Sequence, residues 1–232
     1  MSIHATIDSV TPRLMAVPLF SDLPEESLHA LAGIVAFRRF PKGSLIIGQD
    51  EVGTCMYLVT TGRVKVSLTS PEGKELVLDY LEAPAHFGEM SLVDSKARSA
   101  DVIAVTDVEL LCIEGRDLSA AIQVQPRLAL SLIGTLSRRL RSTISRLEDL
   151  AFLDATHRVM RVVLNVATAE FETRGVPVIH GMTHYDIATL AGTSRETASR
   201  VISQLAREGI IASKGRRLTV NLTQLSERLE LD

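Results

Sequence analysis

The chain has 232 residues, 46% hydrophobic and 23% charged, enough to bury the cores of two modest domains or one large one. With no Trp and only 4% aromatic residues, the composition argues against a carbohydrate-binding or aromatic-cage protein. The formal net charge of −3 gives no sign of a polyanion partner, but it is uneven: residues 1–154 carry 15 Lys+Arg against 20 Asp+Glu, and residues 155–232 carry 10 against 8.

At the N-terminus, no basic region precedes an apolar stretch, and Pro12 and Pro18 interrupt it. No signal peptide is expected, and no run approaches the length of a membrane span, so the sequence points to a cytoplasmic protein. Residues 1–16 are weakly patterned and read as loose. Pro24 opens a short helix with Glu25 and Glu26 near its positive end, running to about Val35.

From Arg38 to about Glu114 the pattern changes to short β-branched runs broken by turn residues. The runs are Ser44–Ile47, Met56–Val59, Val64–Leu68, Leu76–Leu81, Val102–Val105 and Val108–Ile113. Their spacing predicts an antiparallel sandwich or barrel. Ser70-Pro71-Glu72-Gly73 suits a hairpin tip. Cys55 and Cys112 fall in apolar runs and read as two buried thiols rather than a disulfide. No cysteine or histidine spacing suggests zinc or iron–sulfur ligation, and no metal site is expected.

Pro126 precedes a long helix. Ile133, Leu140 and Leu147 recur every seven residues, with Leu136 and Leu150 at the second heptad position, which predicts a parallel homodimer along this helix. Thr143 is the polar exception in that seam. It is either a tolerated small residue or one that faces a ligand.

A second helix spans about Ala155 to Glu170, with Val159, Val162, Val163 and Val166 on its apolar face, and a loop follows over Thr173–Gly181. Thr183 can cap a helix to about Ala191. Gly192-Thr193 makes a tight turn, and Ser194 caps a helix to about Glu208 with Ala198, Val201, Ile202 and Leu205 buried. Ile210–Ser213 and Arg217–Val220 read as a two-stranded wing, completing a winged helix-turn-helix.

Burial of Ala198, Val201 and Ile202 leaves Arg195, Glu196, Ser199 and Arg200 pointing outward at the helix start. In a recognition helix this end meets base edges: Arg matches the guanine acceptors and Glu the cytosine amino group. Ser194, Thr197 and the first backbone amides suit phosphate oxygens. The plain alternative is a surface helix with Glu196 and Arg200 as an i,i+4 ion pair.

Phe87-Gly88-Glu89-Met90-Ser91-Leu92 and Arg98-Ser99-Ala100 place a carboxylate and a guanidinium on either side of a short segment. Such a pair can accept from a ribose hydroxyl and clamp a phosphate, while Gly88 lets backbone amides approach an anion. Taken alone, two charges nine residues apart are usually surface charges. No nucleophile–base–orienter set is visible, so no enzyme is expected.

Ala191-Gly192-Thr193-Ser194-Arg195-Glu196-Thr197 through Arg200 resembles the recognition motif of the cyclic AMP receptor protein and fumarate–nitrate reduction regulator (CRP/FNR) family of bacterial transcription regulators. The resemblance extends from about Leu19 to Val220. It implies an α+β chain with three parts: an N-terminal antiparallel β-roll, the cyclic-nucleotide-binding jelly roll, at 1–126; a long dimerisation helix and hinge at 127–154; and a C-terminal winged helix-turn-helix at 155–232. It implies base contacts from Arg195, Glu196 and Arg200, phosphate contacts from Thr183, Ser194 and Thr197, a TGTGA-like palindrome in double-stranded DNA, and RNA polymerase as a further partner.

The segment around Gly88 resembles the family's phosphate-binding cassette. The implied effector is cyclic AMP, held by Gly88, Glu89, Met90, Arg98, Ser99 and, on the long helix, Thr143. Leu150-Ala151-Phe152-Leu153-Asp154 resembles the interdomain hinge. The sequence departs from the pattern at Ile144, where the branch best known for cyclic AMP has a Ser, and in a loop one residue shorter between Gly88 and Arg98. Cyclic GMP, cyclic di-GMP, haem or ligand-free activity therefore stand as alternatives. His86 reads as a solvated loop histidine rather than a haem ligand.

Overall fold

The computed structural model describes residues 7–73 and 75–230. The chain divides into two compact units, Met1–Leu140 and Arg141–Asp232.

The first unit opens with α1 (Ile7–Ala16) and α2 (Glu25–Ala32). Eight strands follow: β1 (Ala36–Phe40), β2 (Leu45–Ile47), β3 (Cys55–Thr61), β4 (Arg63–Thr69), β5 (Glu75–Glu82), β6 (Ala85–Phe87), β7 (Asp101–Ala104) and β8 (Val108–Glu114). Helix α3 (Met90–Asp94) sits between β6 and β7, and α4 (Gly115–Val124) leads to α5 (Arg127–Phe152). The strands form two antiparallel sheets, in the orders β1-β8-β3-β6 and β2-β7-β4-β5.

The sheet containing β3 and β8 is buried on both faces. Met56, Leu58, Leu111 and Ile113 pack with Leu14, Leu28, Leu118, Leu128 and Leu132 from the helices. Val59, Phe87 and Leu110 on the opposite face pack with Val64, Val102 and Ala104 of the second sheet. Double burial is why Leu110–Ile113 is an unbroken apolar run rather than an alternating one. Each fully buried side chain contributes about 1.5–3 kcal/mol.

The predicted hairpin tip is present: Gly73 N–H donates to Ser70 O at 2.9 Å between β4 and β5. Both cysteines are buried and free. The expectation of a loose N-terminus is corrected for 7–16; residues 1–6 lie outside the described residues. Residues 7–16 are helical despite Pro12, because Val10, Leu14 and the following Val17 are buried. Burying three apolar side chains outweighs the roughly 3 kcal/mol of an interior proline.

On α5, Leu128, Leu132 and Thr135 face the first unit's core, and Leu136 is partly buried there as well. The exposed large apolar residues of α5 are Leu130, Ile133, Leu140, Ile144, Leu147, Leu150 and Phe152. Leu130/Ile133, Ser137/Leu140 and Ile144/Leu147 are therefore exposed at heptad spacing. Thr143 is exposed beside them.

In the second unit Asp154 caps α6 (Ala155–Arg174), its carboxylate accepting from Thr156 N and His157 N. The helix runs four residues past the expected end, to Gly175, which carries a φ of 72°. Its fully buried stripe is Val159, Met160, Val163 and Ala167, with Val162 and Val166 only partly covered. Then come β9 (Val178–His180), α7 (His184–Leu190), α8 (Arg195–Arg207), β10 (Ile211–Lys214), β11 (Arg217–Val220) and α9 (Leu222–Glu230).

The expected two-stranded wing is a three-stranded sheet, β10-β11-β9. Part of the expected 173–181 loop is strand because Val178–His180 pairs with Arg217–Thr219 and buries Ile179. Helix α9 has no counterpart in the sequence reading; it anchors through the buried Leu225.

Candidate functional site

Arg98 is 6% exposed, and its guanidinium donates through Nη1 to Gly88 O at 2.5 Å and Ser91 Oγ at 2.8 Å, and through Nη2 to Cys55 O at 2.5 Å. Its backbone is fixed too: Asp50 N donates to Arg98 O, and Arg98 N donates to Glu51 O. A Cβ on Gly53 would fall 2.0 Å from Arg98 Nε, and one on Gly88 would fall 2.8 Å from Nη1. Only glycine fits at both positions, and Gly88 also takes a φ of +82°.

Glu89 is 1% exposed. Its Oε1 accepts from Arg139 Nη1 at 2.5 Å, and Arg139 Nη2 donates to His86 O at 2.5 Å. The second carboxylate oxygen, Oε2, is buried with no hydrogen-bond partner. Met90 and Ser99 close the group at the surface, with Ser99 Oγ 3.9 Å from Met90 Sδ.

The first unit thus brings together Gly88, Glu89, Met90, Arg98 and Ser99, five of the six effector residues expected. Thr143 belongs to the second unit. Arg139 was missed, although a signal existed: it lies one helical turn before Thr143 on the same helix.

His86 is not a solvated loop residue. It sits on β6, 4% exposed, with Nε2 buried and unpartnered. Burial pulls its pKa down from 6.5 to about 4, against the opposing pull of Glu89, so the ring is neutral near pH 7.

The second site is the start of α8. Thr183 caps α7 in a reciprocal box with Asp186: Asp186 N donates to Thr183 Oγ1 at 3.2 Å and Thr183 N to Asp186 Oδ2 at 2.7 Å. Gly192 turns the chain with a φ of 59°. Ser194 Oγ then accepts from Thr197 N at 3.1 Å, and Ala198, Val201, Ile202 and Leu205 bury the predicted stripe.

Ser194, Arg195, Glu196 and Arg200 are exposed, and Thr197 is half-buried beside them. The alternative Glu196–Arg200 ion pair is not formed among the described residues. Glu196 is held below the usual carboxylate range by its own backbone N–H and the Ser194 hydroxyl. Ser199 is less available than its position suggested, since its hydroxyl meets His184 Nδ1 at 2.9 Å and ties α8 to α7.

Arg158 was not anticipated from the sequence. Its Nε donates to Ala191 O at 2.8 Å, Nη2 to Gly192 O at 3.2 Å and Nη1 to Leu153 O at 2.9 Å. One guanidinium therefore fixes the turn that aims α8 to the segment joining α5 and α6.

Among the described residues no helix is long and apolar enough to cross a membrane. Residues 37–125 match the family described as cyclic nucleotide-binding domain, and residues 157–228 match the Crp-like helix-turn-helix domain. The chain is 38% identical over 194 residues to the cyclic AMP receptor protein of Thermus thermophilus, covering 84% of this chain and 88% of the relative. The crystal structure of the Thermus thermophilus catabolite activator protein superposes with a TM-score of 0.54 at 36% identity, covering 92% of this chain and 98% of that one. A c-di-GMP responsive global regulator of Xanthomonas campestris gives a TM-score of 0.69 at 25% identity, covering 85% of this chain and 99% of that one. Its members are transcription regulators rather than enzymes, and the chain belongs to this CRP/FNR family of cyclic-nucleotide-regulated, DNA-binding proteins.

Proposed function

We propose that the chain works in the cytoplasm as a homodimeric transcription regulator, switched by cyclic AMP and reading a TGTGA-like palindrome. The observation that carries the effector reading is Glu89 Oε2, a carboxylate oxygen buried without a donor and next in the chain to Gly88, whose carbonyl Arg98 holds. A buried unpaired acceptor is costly until a donor arrives, and a ribose hydroxyl is such a donor. Arg98 spends three of its five N–H groups on protein acceptors. The remaining two can take phosphate oxygens. Ser99 would add a hydroxyl to the phosphate and Met90 an apolar contact at the rim. Thr143, four residues beyond Arg139, would meet the base.

Residues 1–126 would form the sensing domain, 127–154 the dimerisation helix and hinge, and 155–232 the DNA-binding domain. The exposed stripe from Leu130 to Leu147 supports pairing of two copies along α5. Arg195, Glu196 and Arg200 would read base edges from each copy, with Thr183, Ser194 and Thr197 on phosphates. RNA polymerase would be the further partner.

Cyclic di-GMP is a second reading, favoured by the Xanthomonas neighbour and by the apolar Ile144. Calorimetric titration with cyclic AMP, cyclic GMP and cyclic di-GMP separates the two, alongside anisotropy on a fluorescent TGTGA palindrome. Cyclic AMP should bind and tighten operator binding, and Arg98→Leu should abolish both effects. Operator affinity that ignores all three nucleotides would end the effector reading.

A further inference from the structure

The inner face of the β3–β8 ladder carries a cluster that neither site uses. Cys55 stands directly opposite Glu114, and Cys112 stands opposite Tyr57, two residues along on the same face. The two sulfurs and a Glu114 carboxylate oxygen all lie within 4.8 Å of one another. Cys55 is 8% exposed and Cys112 6%, while Glu114 is half-buried and makes no hydrogen bond or ion pair among the described residues.

We propose that Cys55, Cys112 and Glu114 form a binding site for a thiophilic divalent metal ion, with zinc the reference case. Thiolate donors select soft ions over calcium or magnesium. In a tetrahedral zinc site with Zn–S near 2.3 Å, two sulfurs sit roughly 3.8 Å apart and a carboxylate oxygen somewhat closer. The separations present need close by no more than about 1 Å to reach that geometry.

The strand register favours a metal over a disulfide. Cys55 and Cys112 form a diagonal pair across adjacent strands, which places their Cα atoms about 7–8 Å apart. A disulfide needs less than about 7 Å, whereas an ion between the sulfurs extends the reach. Two thiolates and the Glu114 carboxylate together offset a dication, leaving the occupied cluster at −1, with any thiol protons released to solvent.

The three ligands leave a fourth position for solvent. The site borders the effector pocket through one residue: the backbone carbonyl of Cys55 accepts from Arg98 Nη2.

Titration of the reduced full-length protein with Co²⁺, followed by Zn²⁺ competition, tests the proposal. A thiolate-to-cobalt charge-transfer absorption should appear and be displaced by zinc. Cys112→Ser should reduce that absorption to about half and weaken zinc binding at least about tenfold. Glu114→Gln keeps the size of the side chain and should preserve the sulfur absorption while weakening zinc by a similar factor. If the cysteine variant fails to fold, the glutamine variant decides alone. Absence of the charge-transfer band in the wild-type chain would overturn the site. So would a band unaltered in Cys112→Ser, or unchanged zinc affinity in Glu114→Gln.

Discussion

In the pocket around Gly88 the charged side chains are buried and tied to protein atoms, whereas at the start of α8 they stand in solvent. Arg98 and Glu89 are 6% and 1% exposed and hold Gly88 O, Ser91, Cys55 O and Arg139. Arg195, Glu196 and Arg200 are exposed, with no ion pair between Glu196 and Arg200 among the described residues. A buried charge must be satisfied for the fold to stand, so the pocket residues are structural as well as functional. An exposed charge at a helix start costs the fold little and is left available to a polyanion. Stability and function should therefore be coupled in one region and separable in the other.

Glu89→Ala tests that coupling most severely. It removes the buried carboxylate that pairs with the half-buried Arg139 guanidinium, which also donates to His86 O. We expect a loss of roughly 3 kcal/mol in unfolding free energy, together with loss of cyclic nucleotide binding, measured by urea denaturation and calorimetry. A variant with unchanged denaturation midpoint that still fails to bind would show that the pocket charge is not structural.

His86 extends the argument to pH. Burial lowers its folded pKa to about 4 from 6.5, so between those values the unfolded chain binds the additional proton. The stability from a neutral His86 is complete above about pH 6.5 and is lost as pH falls towards 4. The full difference is on the order of 3 kcal/mol. His86→Gln should remove that share of the acid slope while leaving the contributions of the carboxylates in place. Equal slopes in the two proteins, from urea unfolding at stepped pH, would show that His86 does not titrate differently on folding.

Legibility followed the same division. The helix-turn-helix was readable because its signals are local: Thr183 and Ser194 as caps, Gly192 in the turn, and a 3.6-residue apolar stripe on α8. The effector pocket was not readable from spacing alone. Arg98 is defined by Gly53 and by the carbonyl of Cys55, just before β3 and at its start, far from Arg98 in sequence. Only the family resemblance singled Arg98 out. Helix α1 was hidden by Pro12, and β6 by having three residues. Helix α9 was hidden because one buried leucine anchors a mostly polar segment. The α5 heptad was found but assigned a register that includes Leu136, which the roll itself partly covers.

At α8 the opposite outcome should hold. Arg195→Ala removes an exposed guanidinium that makes no hydrogen bond or ion pair among the described residues, so unfolding free energy should stay within about 0.5 kcal/mol of wild type. Operator affinity should fall by about 1–3 kcal/mol, and discrimination at one base position should relax. Glu196→Ala should behave alike at a neighbouring position. Anisotropy on operator variants measures both. An equal loss on every sequence, specific or not, would make Arg195 a phosphate contact instead.

Ser194 is where the two regimes meet, and its effect should be smallest. Its hydroxyl caps α8 by accepting from Thr197 N at 3.1 Å, yet the residue is exposed and available to a phosphate. Ser194→Ala deletes the cap at a cost of about 1 kcal/mol in stability and also removes the proposed DNA contact. Ser194→Asp keeps a capping acceptor and even favours the helix dipole, but sets a negative charge against the duplex. The aspartate variant should match wild-type stability while binding operator less well than the alanine variant. If it instead recovers both properties, Ser194 acts on DNA only by holding the helix start, and the separation argued for α8 does not reach its first residue.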